Sequence, residues 1–284
     1  MSNTAAKIAT PSGKSAATEN FPVGSALIRA ELRPHVHAFY RFARMGDDIA
    51  DNSALTPQDK IARLDLMDAV LLDPSREDVK EAADLRRSLA QTNVAPTNSS
   101  ELLIAFRMDA TKQRYANWDE LMTYCRYSAA PVGRQLLDLH GEPAAARGPS
   151  DALCAALQVI NHLQDCGVDY LEMDRVYVPQ DHLAARGVET RHLSSGHASS
   201  GLRHCLDDLL NKTDTLMVEA RLLPGRLRDF RLRAESATIV RLADKMIAQL
   251  RHADPLAARV KPTKLFFATA MIEGVLWSLV AKKR

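Results

Sequence analysis

The sequence lacks the short motifs that mark the common nucleotide-dependent and zinc-dependent folds. It has no GxGxxG opening a helix after a strand, no GxxxxGKS or GxxxxGKT loop, no HExxH pair and no GxSxG elbow. A dinucleotide fingerprint, a P-loop, a zinc-protease helix and a hydrolase elbow are therefore absent. The histidines are also too loosely spaced to indicate a zinc site.

Cysteine is scarce, and export signals are missing. Four cysteines stand alone without a CxxC pair: Cys125, Cys154, Cys166 and Cys205. Isolated cysteines are typical of free thiols in a reducing compartment. The first 20 residues contain no apolar core of the kind that a secretory signal needs, so we predict a disordered tail over residues 1–20.

Glycine and proline are few, with 12 and 13 among 284 residues, whereas 46% of the residues are hydrophobic. This balance favours helices and allows a sizeable core, so we predict one all-α domain over residues 21–284. The net charge of +2, with scattered basic residues, gives no case for nucleic acid.

Hydrophobic periodicity and capping signals predict a series of helices joined by short breaks. We expect Thr56 and Ser150 to cap helices, and Val176–Pro179 to be extended. The predicted helices cover residues 27–51, 57–72, 77–91, 99–114, 117–140, 151–170, 180–186, 201–222, 227–251 and 264–281.

The last apolar stretch, Leu265–Ala281, has 17 residues, which is fewer than the roughly 20 needed to span a bilayer. Glu273 lies in its middle, where a charge in lipid is costly. We expect a core or cleft helix, with a membrane-contacting helix as the alternative. The terminal Lys282–Arg284 would suit an anionic surface.

Two acidic pairs stand out within the helical pattern. Asp47 and Asp51 are four residues apart, as are Asp165 and Asp169, so each pair shares a helix face. Like charges so placed repel by a few tenths of a kcal/mol. Short carboxylates of this kind can hold Mg²⁺ together with a substrate diphosphate. A solvated helix face with chance spacing is the alternative.

Polar and aromatic residues flank both pairs. Arg41, Arg44 and Arg175 would clamp phosphate oxygens or form simple salt bridges. Gln158 and Asn161 are amides on an otherwise apolar helix, and they also suit a structural role. Aromatic faces stabilise a carbocation, or they pack in the core; the residues concerned are Tyr40, Tyr127 and Tyr177.

Three stretches together resemble the squalene/phytoene synthase family: HAFYRFARMGDDIAD, YCRYSAAPVG, and LQVINHLQDCGVDY followed by RVYVP. The order and spacing match from about Phe21 to the last helix. The resemblance implies an all-α isoprenoid synthase fold, a helical bundle with a central cavity lined by two Asp-rich helices. It also implies Mg²⁺ as the cofactor and a prenyl diphosphate as the substrate.

The resemblance assigns roles residue by residue. Asp47, Asp51, Asp165 and Asp169 match the metal ligands. Substrate-binding positions match Phe21, Arg41, Arg44, Gln158, Asn161, Gln164 and Arg175. Catalytic positions that shape the path of the cation match Tyr40, Tyr127 and Tyr177.

Two departures from the family pattern narrow the prediction. Gln164 stands where the N-x-x-R-D motif has arginine, and Ala130-Pro131 replaces Gly-x in the middle motif. These departures resemble the bacterial hopanoid-pathway branch. That branch takes presqualene diphosphate, releases diphosphate and lets water capture the rearranged cation as hydroxysqualene.

Alternatives remain at this point. One is an enzyme that condenses two farnesyl diphosphates to presqualene diphosphate, squalene or phytoene, and another is an inactive helical assembly partner. The resemblance also implies coupling to a presqualene diphosphate synthase paralogue and to a downstream reductase. We expect a cytoplasmic protein with peripheral contact to the inner membrane, because the substrate is oily.

Overall fold

A computed structural model describes residues 28–280, which cluster into two compact units. Within this range, one unit comprises residues 28–111 and 131–142, and the other comprises 112–130 and 143–280. The predicted tail over residues 1–20, the site residue Phe21 and the terminal Lys282–Arg284 lie outside the described residues.

The first unit is built around its first helix. Its helices are α1 (Arg33–Asp51), α2 (Pro57–Leu72), α3 (Lys80–Thr92), α4 (Thr97–Asp109) and nearly all of α6 (Ala130–His140). Helix α1 packs against α2, α3 and α4 through side chains that include the fully buried Phe42 and Ile49. Burial of this apolar face fixes the orientation of the polar face that carries the first acidic pair.

The second unit is built around a long helix. Its helices are α5 (Trp118–Ser128), α7 (Arg147–Met173), α8 (Gln180–Ala185), α9 (Ser200–Ala220), α10 (Leu223–Arg226), α11 (Phe230–His252) and α12 (Lys264–Val280). Short 3₁₀ helices cover Ala144–Ala146 and Thr190–Ser194. Helix α7 packs on α5, α9 and α11, and α12 packs along α11.

Residues 28–280 contain no strand, only an isolated parallel bridge between Arg114 and Val176, so the all-α prediction is confirmed. None of the helices in this range is both long and apolar enough to cross a membrane. Glu273 of α12 accepts a hydrogen bond from Lys245 of α11 at 2.8 Å, which ties these two helices together.

Several predicted helix ends are wrong. The helix predicted over 99–114 begins at Thr97 and ends at Asp109. The helix predicted over 117–140 divides before Pro131, whose ring nitrogen has no proton to donate. Helix α7 begins at Arg147 rather than at a Ser150 cap, because Pro149 is tolerated in its first turn.

Candidate active site

The first acidic pair lies on α1 beside an arginine. Nη1 of Arg44 is 2.9 Å from Oδ2 of Asp47, and its Nε donates to Oδ1 of Asp48 at 2.9 Å. Asp48 is only 9% exposed, whereas Asp47 and Asp51 are half-buried. Asp48 thus holds the guanidinium from the buried side. This role was not predicted from the sequence, because the four-residue spacing selects only Asp47 and Asp51.

Tyr40, Arg44, Asp47 and Asp51 recur at intervals of three or four residues, so they share one stripe of α1. Tyr40 is half-buried and Arg41 is exposed. The neighbouring Gly46 allows α4 to approach, because a Cβ there would lie 2.5 Å from the buried ring of Phe106. The predicted residues around the first acidic pair therefore share one stripe of α1, except Arg41, which lies on the same helix outside that stripe.

The second acidic pair lies near the C-terminal end of α7. Nε of Arg259 is 3.1 Å from Oδ1 of Asp165, and Nη2 donates to Oδ2 at 3.4 Å. Oδ1 is buried, and within residues 28–280 it receives no hydrogen bond, so its contact with the guanidinium is an ion pair only. A buried carboxylate oxygen without a donor fits a cation as its partner.

A left-handed turn after α7 delivers the next predicted residues. Asp174 adopts φ 51°, and the backbone N–H of Arg175 donates to the carbonyl of Asp169 at 3.1 Å. Val176 N–H then donates to the carbonyl of Gln113 at 2.8 Å. This turn buries Arg175 and Tyr177 beside the last turns of α7.

Tyr177 belongs to a buried aromatic cluster. The ring of His162 stacks on it with centroids 3.5 Å apart, and the ring of Tyr115 lies 5.5 Å away. Tyr124 completes the cluster at 5.4 Å from Tyr177. The packing of these three rings with Tyr177 was not predicted from the sequence, although His162 directly follows Asn161 within the motif.

His162 is held neutral. Burial, assisted by the positive charge of Arg175, lowers its pKa from 6.5 to about 3. Nε2 of Gln158 donates to Nε2 of His162 at 3.2 Å, so with this amide orientation the imidazole proton lies on Nδ1. Gln158, predicted to bind substrate, thus contacts His162.

The field around the second pair is negative. Burial, followed by the charge of Asp169 and with smaller contributions from Asp165 and Asp254, raises the pKa of the Cys166 thiol to about 12. Cys166 is therefore a neutral thiol at physiological pH, and all four cysteines are free, as the sequence predicts. A negative field favours a bound cation.

The remaining predicted residues occupy varied surroundings. Asn161 is half-buried on the same stripe of α7 as Asp165 and Asp169. Gln164 is buried, and its Nε2 donates to the carbonyl of Val260 at 2.5 Å. Tyr127 of α5 is half-buried beneath the guanidinium of Arg126, which lies 5.4 Å from the ring centroid.

The carboxylate oxygens of each acidic pair suit a hard divalent cation. Residues 28–280 contain no group of three or more His, Cys, Asp or Glu side chains arranged to hold a metal. Each acidic pair instead offers two half-buried carboxylates, a number that suits a cation which keeps its waters and also binds substrate oxygens.

Comparisons with known proteins show which family the chain is similar to. The squalene/phytoene synthase family matches residues 15–265. A hydroxysqualene synthase from Sinorhizobium fredii is 48% identical over 85% of this chain and 82% of that protein. One from Rhodopseudomonas palustris is 45% identical over 91% of this chain and 89% of its own.

A solved structure extends the agreement to three dimensions. Squalene synthase HpnC from Alicyclobacillus acidocaldarius is 31% identical, with a TM-score of 0.73 over 81% of this chain and 86% of that one. The family match and the similar fold of a relative thus agree, and the chain belongs to the squalene/phytoene synthase family.

Proposed function

We propose that this chain is a hydroxysqualene synthase that acts on presqualene diphosphate. The observation that carries the proposal is the 48% and 45% identity, over most of both chains, to two proteins of that name. Retention of all four motif aspartates supports an active enzyme over an inactive assembly partner.

The aspartates would hold Mg²⁺ and the substrate's diphosphate. Asp47 and Asp51 would act from α1, and Asp165 and Asp169 from α7. The metal would supply positive charge that stabilises the leaving diphosphate. Arg44, fixed by Asp48, and the buried Arg175 would orient phosphate oxygens through bidentate hydrogen bonds. Asn161 would support the metal-bound face of α7.

The reaction breaks the bond between C1 and the diphosphate oxygen, and the electron pair leaves with diphosphate. The cyclopropylcarbinyl cation rearranges, a water oxygen bonds to it, and the water proton passes to diphosphate or solvent. No hydride is consumed. The π face of Tyr177 favours positive charge nearby, and neutral His162 adds no repulsion to it.

One incubation tests the function. Purified protein with presqualene diphosphate and Mg²⁺ should give hydroxysqualene, and in H₂¹⁸O the product hydroxyl should carry the label. Farnesyl diphosphate alone should give nothing. Turnover of farnesyl diphosphate without another enzyme would instead support the condensing alternative.

The chemistry of substrate and product also places the enzyme in a sequence of reactions. A condensing paralogue that joins two farnesyl diphosphates would supply presqualene diphosphate. A reductase that replaces the hydroxyl with hydride would consume the product.

We also propose that the protein contacts an anionic lipid surface through α12. Ile272, Leu276 and Leu279 share one face of this helix and are 59%, 58% and 65% exposed. Three basic residues, Lys282–Arg284, follow in the sequence. An exposed apolar stripe followed by cations suits peripheral contact, and such contact would bring the site near its oily substrate.

A further inference from the structure

Residues 254–260 follow α11 and form a segment that is pinned at its start. Oδ1 of Asp254 accepts from the N–H of Leu256 at 3.0 Å, and Oδ2 accepts from the N–H of Ala198 at 2.8 Å. Nη1 of Arg203 donates to the carbonyl of Ala253 at 3.0 Å. The 254–260 segment therefore leaves α11 in a fixed direction.

The 254–260 segment packs on α7 at Gly167, between the two motif aspartates of that helix. A Cβ on Gly167 would lie 2.8 Å from Cδ2 of Leu256 and 3.2 Å from the carbonyl oxygen of Leu193, so glycine permits the close approach. One turn earlier, Gln164 donates to the carbonyl of Val260 at 2.5 Å, and both residues are buried. Gln164 thus fastens the far end of the segment to α7.

The hydrogen bond between Gln164 and Val260 places a guanidinium at the second acidic pair. Arg259 directly precedes Val260, and its Nε and Nη2 face the carboxylate of Asp165. Its side chain is 53% exposed, and Nη1 has no hydrogen bond within residues 28–280. The Nε–Nη2 edge of the guanidinium therefore contacts Asp165, and Nη1 is available to another acceptor.

We propose that Arg259 binds a phosphate oxygen of the substrate beside Asp165, and that Gln164 is the positioning residue that holds Arg259 there. This inference rests on the proposed function. An open guanidinium edge next to a metal-binding carboxylate suits a diphosphate oxygen. The family motif has an arginine where this chain has Gln164. Arg259, in the 254–260 segment, supplies a positive charge in its place. The hydrogen bond from Gln164 to Val260 holds Arg259 in that position.

Calorimetric titration of the full chain with inorganic diphosphate in MgCl₂ tests Arg259. Arg259→Gln should weaken diphosphate binding about ten- to a hundred-fold, the loss expected for a hydrogen bond between charged groups, and Arg259→Lys should recover part of it. Arg191→Gln, at an exposed arginine paired with Glu189, is the matched control and should bind like wild type. Thermal melting checks that each variant folds.

A double-mutant cycle tests Gln164. Gln164→Ala should weaken diphosphate binding in the wild-type background but add little in the Arg259→Gln background, because both changes remove one interaction. Independent losses in the two backgrounds would overturn the positioning role. A general structural defect would produce such independent losses.

Two outcomes would overturn the role of Arg259. One is unchanged diphosphate affinity in Arg259→Gln. The other is tighter binding of Mg²⁺ alone with no loss for diphosphate, which would make Arg259 only a counter-ion of Asp165. Diphosphate affinity that depends on Arg259 in a protein that leaves presqualene diphosphate unconverted would overturn the proposed function but uphold the inference.

Discussion

Burial sets the protonation state of His162, the ring stacked on Tyr177. Its pKa is 6.5 in the unfolded chain and about 3 in the fold, so the unfolded chain binds more protons between these values. The free energy of unfolding is therefore fully retained above pH 6.5 and falls as pH drops towards 3. The slope is about 1.4 kcal/mol per pH unit in this window.

Urea unfolding at pH 7, 6 and 5 measures this effect. His162→Gln keeps a polar partner for Gln158 and cannot be protonated, so its free energy of unfolding should fall less steeply than that of the wild type. The difference between the two slopes isolates His162 from the other histidines. Parallel slopes would show that His162 titrates normally in the fold.

The motif aspartates give a second prediction at the scale of the residue. Asp51→Ala combined with Asp169→Ala should lower turnover of presqualene diphosphate by about 10²–10³-fold, because the metal's contribution of several kcal/mol is lost. Glu172→Ala, at an exposed acid on the same helix α7, should retain activity. Undiminished product from the double variant would remove the metal hypothesis.

Spacing rules predict those site residues that share a helix, and they fail for residues brought together by turns. Tyr40, Arg44, Asp47 and Asp51 could be grouped on α1 because intervals of three and four define one face. Arg259 is 94 residues from Asp165, and its position depends on how the chain leaves α11. No periodicity in the sequence encodes that path.

At the scale of the element, two helix starts with a side-chain cap were predictable. Thr56 accepts from the N–H of Asp59, and Asn117 accepts from the N–H of Glu120, as their residue types indicate. The start of α7 was not, because neither its N-cap residue, Ala146, nor Arg147 carries a sequence signal. Packing, rather than a local cap, decides where that helix begins.

The packing of α12 on α11 depends on one glycine. A Cβ on Gly274 would lie 2.5 Å from the backbone of Thr238, which cannot move without displacing α11. Gly274→Ala should gain about 1 kcal/mol of helix propensity but lose more through overpacking, which typically costs 1–3 kcal/mol and occasionally more. We expect a lower melting temperature.

Gly196→Ala is the matched control for this prediction. Gly196 is exposed, and nothing lies within 4 Å of a Cβ placed there, so its melting temperature should stay close to that of the wild type. A Gly274→Ala variant as stable as the control would show that α11 and α12 can separate without cost.

At the scale of the whole molecule, composition and hydrophobic periodicity together predicted the all-α class, because few glycines and prolines interrupt long apolar periodicities. Which side chains of a helix are buried could not be predicted in the same way. The sequence of α12 is apolar nearly throughout, yet Ala270, Gly274 and Ser278 are buried while larger side chains remain exposed. The small residues face α11, so the larger apolar residues on the opposite side of α12 form the exposed stripe.

That stripe gives the last prediction. The protein should co-sediment with vesicles that contain anionic phosphatidylglycerol and less well with neutral vesicles, because a basic residue near such a surface contributes about 1 kcal/mol. Ile272→Ser, Leu276→Ser and Leu279→Ser together should reduce binding at least about tenfold, since each buried side chain contributes on the order of 1.5–3 kcal/mol.

The control variant removes exposed apolar residues elsewhere, with Leu72→Ser, Val218→Ser and Leu222→Ser, which are 56%, 66% and 51% exposed in the wild type. It should bind vesicles like the wild type, because these residues lie on α2, α9 and the turn after α9 rather than on α12. Equal losses in both triple variants would indicate general adsorption of apolar surface. Equal retention would leave α12 without a role at the membrane.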